Sequence, residues 1–183
     1  MTASYLRAKQ LCRNFHGIGL GLRWEFLDDL LSQQPKEIDF LEFSPENYMG
    51  RGGYFPASLE RLSHFYPLLS HGLTMSVGSA HLPDEGYFKS LREELKKSRS
   101  PIHSDHLSLG QVGPLQLHEL LPLPRTPQYV GHVADHIAAI EERLQCPFLI
   151  ENISSYVDIE AEGMAEVDFI TAILERSNSG LLL

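Results

Sequence analysis

Apolar positions along this chain recur with two alternating periods. Short apolar runs of strand length are each followed by a stretch whose apolar residues fall three and four apart, as on one face of a helix. His16 to Leu22 is a glycine-rich extended run. Trp24 to Gln34 carries Phe26, Leu27, Leu30 and Leu31 as a helical stripe, and Pro35 stands beyond it as a stop signal. Ile38 to Phe43 reads as the second strand and Ala57 to Tyr66 as a short helix. Leu68 to Val77 holds a strand ending near His71, then an irregular Gly/Ser loop. Tyr87 to Lys97 is helical, with Phe88, Leu91 and Leu95 on one face, and Ile102 to Leu107 is the fourth strand. Gly110 to Pro127 holds four prolines and reads as a loop. Tyr129 to Leu144 is the longest helical pattern, with Val130, Val133, Ile137, Ile140 and Leu144. Phe148 to Ile150 is the fifth strand, and Val167 to Leu174 anchors a helix stopped by Asn178 and Gly180. Leu181, Leu182 and Leu183 read as the opening of a sixth buried strand.

This alternation predicts an α/β fold with a parallel, curved sheet in sequential order and helices outside. A (β/α)8 barrel takes ~250 residues, and this chain supplies about five and a half βα units. The expectation is a single domain over residues 1–183, the amino-terminal part of a TIM-barrel-like (β/α) repeat, incomplete. A short open-sheet protein is the alternative.

Composition narrows the class. The chain has 183 residues, 43% of them hydrophobic, enough for one core. Its formal charge of −9 and lack of a basic cluster argue against nucleic acid as a partner. The densest basic stretch, Lys96, Lys97 and Arg99, closes a helical pattern and suits the helix dipole. Cys12 and Cys146 lie far apart without metal-type spacing, which suits a reducing compartment. Arg7, Lys9 and Arg13 precede no long apolar segment, so neither a signal peptide nor a membrane span is expected, and the location expected is cytoplasmic.

The candidate chemistry sits where three apolar runs end. Leu69-Ser70-His71-Gly72, Ser104-Asp105-His106-Leu107 and Leu149-Ile150-Glu151-Asn152 each place a metal-ligand residue at a strand end. In a parallel sheet those ends share the carboxyl edge, where such folds bind ligands. Two imidazoles and a carboxylate make a first shell for iron, manganese or zinc. Successive side chains in a strand point opposite ways, which favours His106 inward and Asp105 as an acceptor supporting it. Glu151 follows an apolar run, so its carboxylate needs a cation, either a metal or an arginine. Glu46 and Asn47, past the second strand, are candidate supporting or substrate-contacting residues, with a polar turn as the plain alternative. Asn152 is a candidate for orienting Glu151 or a bound oxygen ligand. His132 and His136 are spaced i,i+4 on a helix, but Val133 stands where an H-E-x-x-H motif needs Glu, so they read as surface or helix-packing residues. Gly17, Gly19 and Gly21 do not have dinucleotide spacing and read as a closely packed first strand.

Six segments in order carry a resemblance along nearly the whole chain. They are Gly21-Leu22-Arg23; Phe40-Leu41-Glu42-Phe43 leading to Glu46-Asn47-Tyr48-Met49; Ser70-His71-Gly72 with Ser76-Val77-Gly78-Ser79; Ser104-Asp105-His106-Leu107-Ser108; Leu121-Pro122-Leu123-Pro124; and Glu151-Asn152-Ile153-Ser154-Ser155-Tyr156. The chain resembles the multinuclear non-heme iron-dependent oxidases, a TIM-barrel family formerly catalogued as uncharacterised. The resemblance implies two or three iron ions, dioxygen activation, and oxidative remodelling of residues, often cysteines, in ribosomally made precursor peptides. It also implies a partner protein that binds the peptide leader. It makes His71, His106 and Glu151 iron ligands. Leu109 stands where the family often has Trp, and Ile153 where it often has Pro. The family continues past the final leucines into an Asp-Val-Asn-Asn stretch and further ligands. The expectation is therefore a truncated copy, inactive alone, whose parent is an iron oxidase. The alternatives are another metal-dependent TIM barrel of sugar-isomerase or phosphodiesterase type, and an inactive remnant.

Overall fold

The computed structural model describes residues 15–113, 115–154, 163–177 and 179–183. Cys12, Arg7, Lys9, Arg13, Asn178 and the Ser155-Tyr156 end of the last motif lie outside them. Six strands form one parallel sheet in chain order: β1 (Gly19–Gly21), β2 (Phe40–Phe43), β3 (Leu68–His71), β4 (His103–His106), β7 (Phe148–Glu151) and β8 (Gly180–Leu182). Among the described residues five α-helices alternate with them: α1 (Leu27–Gln33), α2 (Tyr54–Leu62), α3 (Glu85–Ser98), α4 (Pro127–Leu144) and α5 (Glu166–Ser177). The fold is α/β and TIM-barrel-like, with the barrel not closed.

Burial alternates along the strands because one face carries the helices and the other is concave and partly open. In β2, Leu41 and Phe43 are buried while Phe40 and Glu42 are half-exposed; in β7, Phe148 and Ile150 are buried while Leu149 and Glu151 are half-exposed. The core lies on the helix side. Phe88 and Leu91 of α3, Val133 and Ile137 of α4, Phe148 and Ile150 of β7, and Phe169 and Ile173 of α5 form its larger part. Leu27, Leu30, Leu41, Phe43, Leu59 and Leu62 form a second cluster under α1 and α2. On the concave side, a cavity of about 430 Å³ runs past Gly19, Phe40, Leu69, Ser104 and Leu149. Gly19 has no room for a side chain there: a Cβ would lie 2.1 Å from the Phe40 ring.

Local signals set the helix ends. Asp84 caps α3 by accepting from the Tyr87 amide, and Thr126 caps α4 through the Tyr129 amide with Pro127 in the first turn. Lys96 and Lys97 occupy the last turn of α3, where cations oppose the dipole. The second helix begins at Tyr54, not Ala57, and ends at Leu62, not Tyr66. Gly53, at a φ of 88°, supplies the turn into it, and Pro56 falls within the first turn, where a missing N–H costs nothing.

The largest departure from the sequence expectation is Gly110 to Pro127. Instead of a loop it is mostly a β-hairpin, β5 (Leu109–Val112) antiparallel to β6 (Leu115–Leu121). Its proline-rich flanks and broken alternation hid it. None of the described helices is long and apolar enough to cross a membrane.

Candidate metal centre

His71, His106 and Glu151 are the last residues of β3, β4 and β7. His106 and Glu151 are register partners on adjacent strands. His71 pairs with Ser104, two residues short of His106, so its ring must reach along the edge to join them. It does so. His71 Nε2 is 2.9 Å from Glu151 Oε2 and 3.3 Å from His106 Nε2, and His106 Nε2 is 3.5 Å from Glu151 Oε2. Among the described residues this is the one cluster of three such side chains close enough to share an ion.

The triangle fits a metal ion. With ligand bonds of about 2.1 Å, neighbouring donors lie about 3.0 Å apart around an octahedral ion and about 3.4 Å apart around a tetrahedral one. Two imidazole nitrogens and a carboxylate oxygen at those spacings also need positive charge among them. Two neutral imidazoles cannot both offer lone pairs to each other without a proton or a metal between them. No arginine or lysine is ion-paired with Glu151 among the described residues.

The supporting bonds fix how the rings present themselves. Ser104 Oγ donates to the Ser70 carbonyl at 3.2 Å, so it accepts from His71 Nδ1 at 2.9 Å. That places the proton of neutral His71 on Nδ1 and leaves Nε2 bare toward the centre. Ser104→Ala is expected to weaken divalent-metal affinity by about 10- to 100-fold, the usual cost of losing such a support, with the fold intact. Competition with a chromogenic chelator measures it.

Asp105 faces the helix side, as strand alternation predicts, and is almost fully buried. Its Oδ1 accepts from the His106 amide at 2.7 Å and its Oδ2 from the Met75 amide at 3.0 Å. Oδ1 also lies 3.4 Å from His106 Nδ1, a contact too poorly aligned for a hydrogen bond, which leaves that ring nitrogen buried and unpaired. Burial pushes the His106 pKa down, but Asp105, with the charges of Glu151 and Glu46, pushes it up further, so it lies above the ordinary histidine value. Gly72 makes room for Asp105: a Cβ there would lie 2.3 Å from Oδ2.

Glu46 lies beyond β2 in a short 3₁₀ turn. Its Oε1 accepts from the Leu73 amide at 2.9 Å, Thr74 Oγ1 at 3.2 Å and Tyr87 Oη at 2.8 Å, while Oε2 is buried without a partner. Burial, then the Glu46 charge, holds the Tyr87 hydroxyl well above its usual pKa. Asn47 is exposed in the same turn, and Asn152 borders a small pocket with Arg125 and Glu166. Among the described residues neither asparagine side chain hydrogen-bonds to the triad. His132 and His136 latch α4 to the loop after β3, through the Ser79 and Val77 carbonyls at 2.8 and 2.9 Å, which makes them packing residues.

Sequence reading missed Ser104, Thr74 and Tyr87. Ser104 was accessible in principle, because it shares the face of His106 by the two-residue period. It also missed His103, which is fully buried, bonded through Nδ1 to Ser70 Oγ at 2.9 Å, and unpaired at Nε2. Burial pushes its pKa down to about 4. The unfolded chain therefore takes up this proton near the ordinary value of about 6.5, before the folded chain does. The resulting stability is present above that value and is lost as pH falls toward 4, by about 3 kcal/mol. Urea unfolding across this window should show that slope, and His103→Gln should flatten it.

Comparison with known proteins agrees with this picture. The family model described as RiPP precursor modification enzyme MbnB/TglH/ChrH matches residues 17–183. The UPF0276 protein of Shewanella loihica is 37% identical over 166 residues, covering 91% of this chain and 59% of the relative. The UPF0276 protein of Acinetobacter baylyi is 38% identical over 167 residues, covering 91% and 57%. The chain thus spans under two thirds of the length of these relatives. A crystal structure of D-psicose 3-epimerase in the presence of D-fructose superposes with a TM-score of 0.55 at 10% identity, covering 89% of this chain and 61% of that one, a likeness of fold alone. By sequence along nearly its whole length, the chain belongs to the MbnB/TglH/ChrH family of RiPP precursor modification enzymes.

Proposed function

We propose that this chain carries the first part of an iron- and dioxygen-dependent oxidase that modifies residues, cysteine foremost, of ribosomally made precursor peptides. His71, His106 and Glu151 would hold an iron ion. A protein that binds the peptide leader would act with it. The observation that carries the reading is the triangle of donor atoms with sides of 2.9, 3.3 and 3.5 Å. Two imidazoles and one carboxylate gathered on one side of an ion leave its other positions open, the arrangement that suits non-haem iron and oxygen chemistry. When bound, iron would supply the electron transfer to dioxygen.

The protein's own groups prepare that chemistry. Ser104 holds the His71 ring in the tautomer that faces the centre. Asp105 anchors the chain at His106 through its amide and adds negative charge beside the ring. Glu46, pinned through one oxygen by three donors, keeps a second carboxylate near the centre, its other oxygen buried and unpaired. Glu151, 2.9 Å from His71 Nε2, would supply the anionic donor that offsets part of the metal charge.

The test is anaerobic loading with Fe(II), then exposure to air with a cysteine-containing precursor peptide encoded beside the gene. A full-length relative should consume dioxygen and change the peptide mass. The 183-residue chain should bind one ion without turnover. A strong preference for zinc, with no oxygen uptake by the iron-loaded relative, would overturn the reading.

A further inference from the structure

The β5–β6 hairpin lines a cavity together with His106 of the centre, and its second strand is broken there. Leu109 pairs with Leu121 and Gln111 with Gln116, so two steps along β5 face five along β6. The surplus residues bulge out around His118, which sits at a φ of 56°, a left-handed conformation uncommon for any residue but glycine. Such bulges re-aim side chains and are frequent beside active sites. Here the re-aimed segment borders a cavity of about 400 Å³ whose lining includes His106, Thr74, Ser76, Gln116, His118 and Glu119. One wall of this cavity is therefore a histidine of the metal centre. Another is the bulge. The hairpin makes a two-stranded sheet of its own, so β6 has no strand on its outer edge among the described residues.

We propose that the β6 bulge is the substrate-recognition element of the metal centre. In this arrangement His118 and Glu119 hold the backbone of an extended peptide segment while one of its side chains enters the cavity in front of His106. The inference rests on the metal-centre reading above. Its physical basis is the juxtaposition of a polar, strained bulge with the cavity that opens onto a ligand histidine. Glu119 offers carboxylate acceptors for peptide N–H groups, His118 and Gln116 can donate to peptide carbonyls, and a strand edge favours an extended partner. Both His118 and Glu119 are exposed, so each can be changed without disturbing the core.

Cobalt(II) serves as the metal probe, since a thiolate that reaches it gives a charge-transfer band. The cobalt-loaded chain is titrated with N-acetylcysteine N-methylamide, the smallest unit with a thiol between two peptide bonds, and separately with 2-mercaptoethanol. The intact chain should bind the peptide unit at least about tenfold more tightly than the simple thiol. His118→Gly, which keeps the left-handed backbone, and Glu119→Gln should each shrink that ratio at least about threefold. Cobalt affinity and the response to 2-mercaptoethanol should not change. If the ratio is unchanged in both variants, or is near one in the intact chain, the bulge does not recognise peptide and the proposal falls alone. If the intact chain binds no cobalt, the metal-centre reading falls and takes this inference with it.

Discussion

Chains carrying His106→Ala or Glu151→Ala are expected to lose divalent-metal binding by more than about 100-fold, since removing a mere supporting partner already costs 10- to 100-fold. With three donors within 3.5 Å of one another, neither remaining pair can close the gap without moving a strand end. Glu151→Ala has the larger effect in electrostatic terms, because it removes the one negative charge in the triangle. The pH dependence has a definite sign. Metal and proton compete for His106, whose pKa lies above the usual histidine value, so affinity should rise with pH and fall as pH drops through that raised value. Chelator competition over about pH 6 to 8 covers this range. An intact metal affinity in either variant would remove the triad from the metal centre.

Phe148→Ala is expected to lower unfolding free energy by about 3 to 5 kcal/mol, the range for deleting a fully buried aromatic side chain. Phe148 has no exposed surface, its ring lies 5.8 Å from that of His103, and its amide donates to Glu141 Oε1 of α4 at 3.1 Å. It stands three residues before Glu151 on the same strand, so the cavity left behind would also loosen the strand end that carries a donor. A two-part result should follow in urea titration: a lower midpoint, and restoration of part of the loss by added metal, because an ion that binds only the folded chain stabilises it. A change below about 1 kcal/mol would mean that the core relaxes around the gap.

The parts of the structure legible in the sequence are those where local pattern and long-range packing demand the same thing. β2 and β7 are mostly apolar and β3 opens on Leu68 and Leu69, while the polar β4 was legible from Ile102 and Leu107 on either side of it; the helices they pack against carry stripes, such as Val130, Val133, Ile137, Ile140 and Leu144, that were equally plain. Parallel sequential order followed from the alternation of elements. Candidate donors His71, His106 and Glu151 were legible because strand ends of a parallel sheet share one edge, whatever the register. The hairpin was not legible. Leu115 and Leu117 begin an alternation that Glu119 breaks, and prolines crowd its flanks, so its pairing rests on contacts across the turn and with the Ser76–Ser79 loop, not on local preference.

Sequence alone determined the fold class, the order of elements and which residues reach the carboxyl edge, because period and burial follow from which side chains avoid water. Tertiary structure decided what those residues do to each other. Register brought His71 level with Ser104 and His106 level with Glu151, and only that offset lets one ring reach along the edge to complete a triangle. It also decided that Ser104 bares His71 Nε2, that Glu46 is held from three sides, and that His103 is sealed away from solvent. Strand register is set by how whole faces pack. A shift of one residue would have turned the strand-borne side chains, His71, His103, Ser104, His106 and Glu151, to the opposite face.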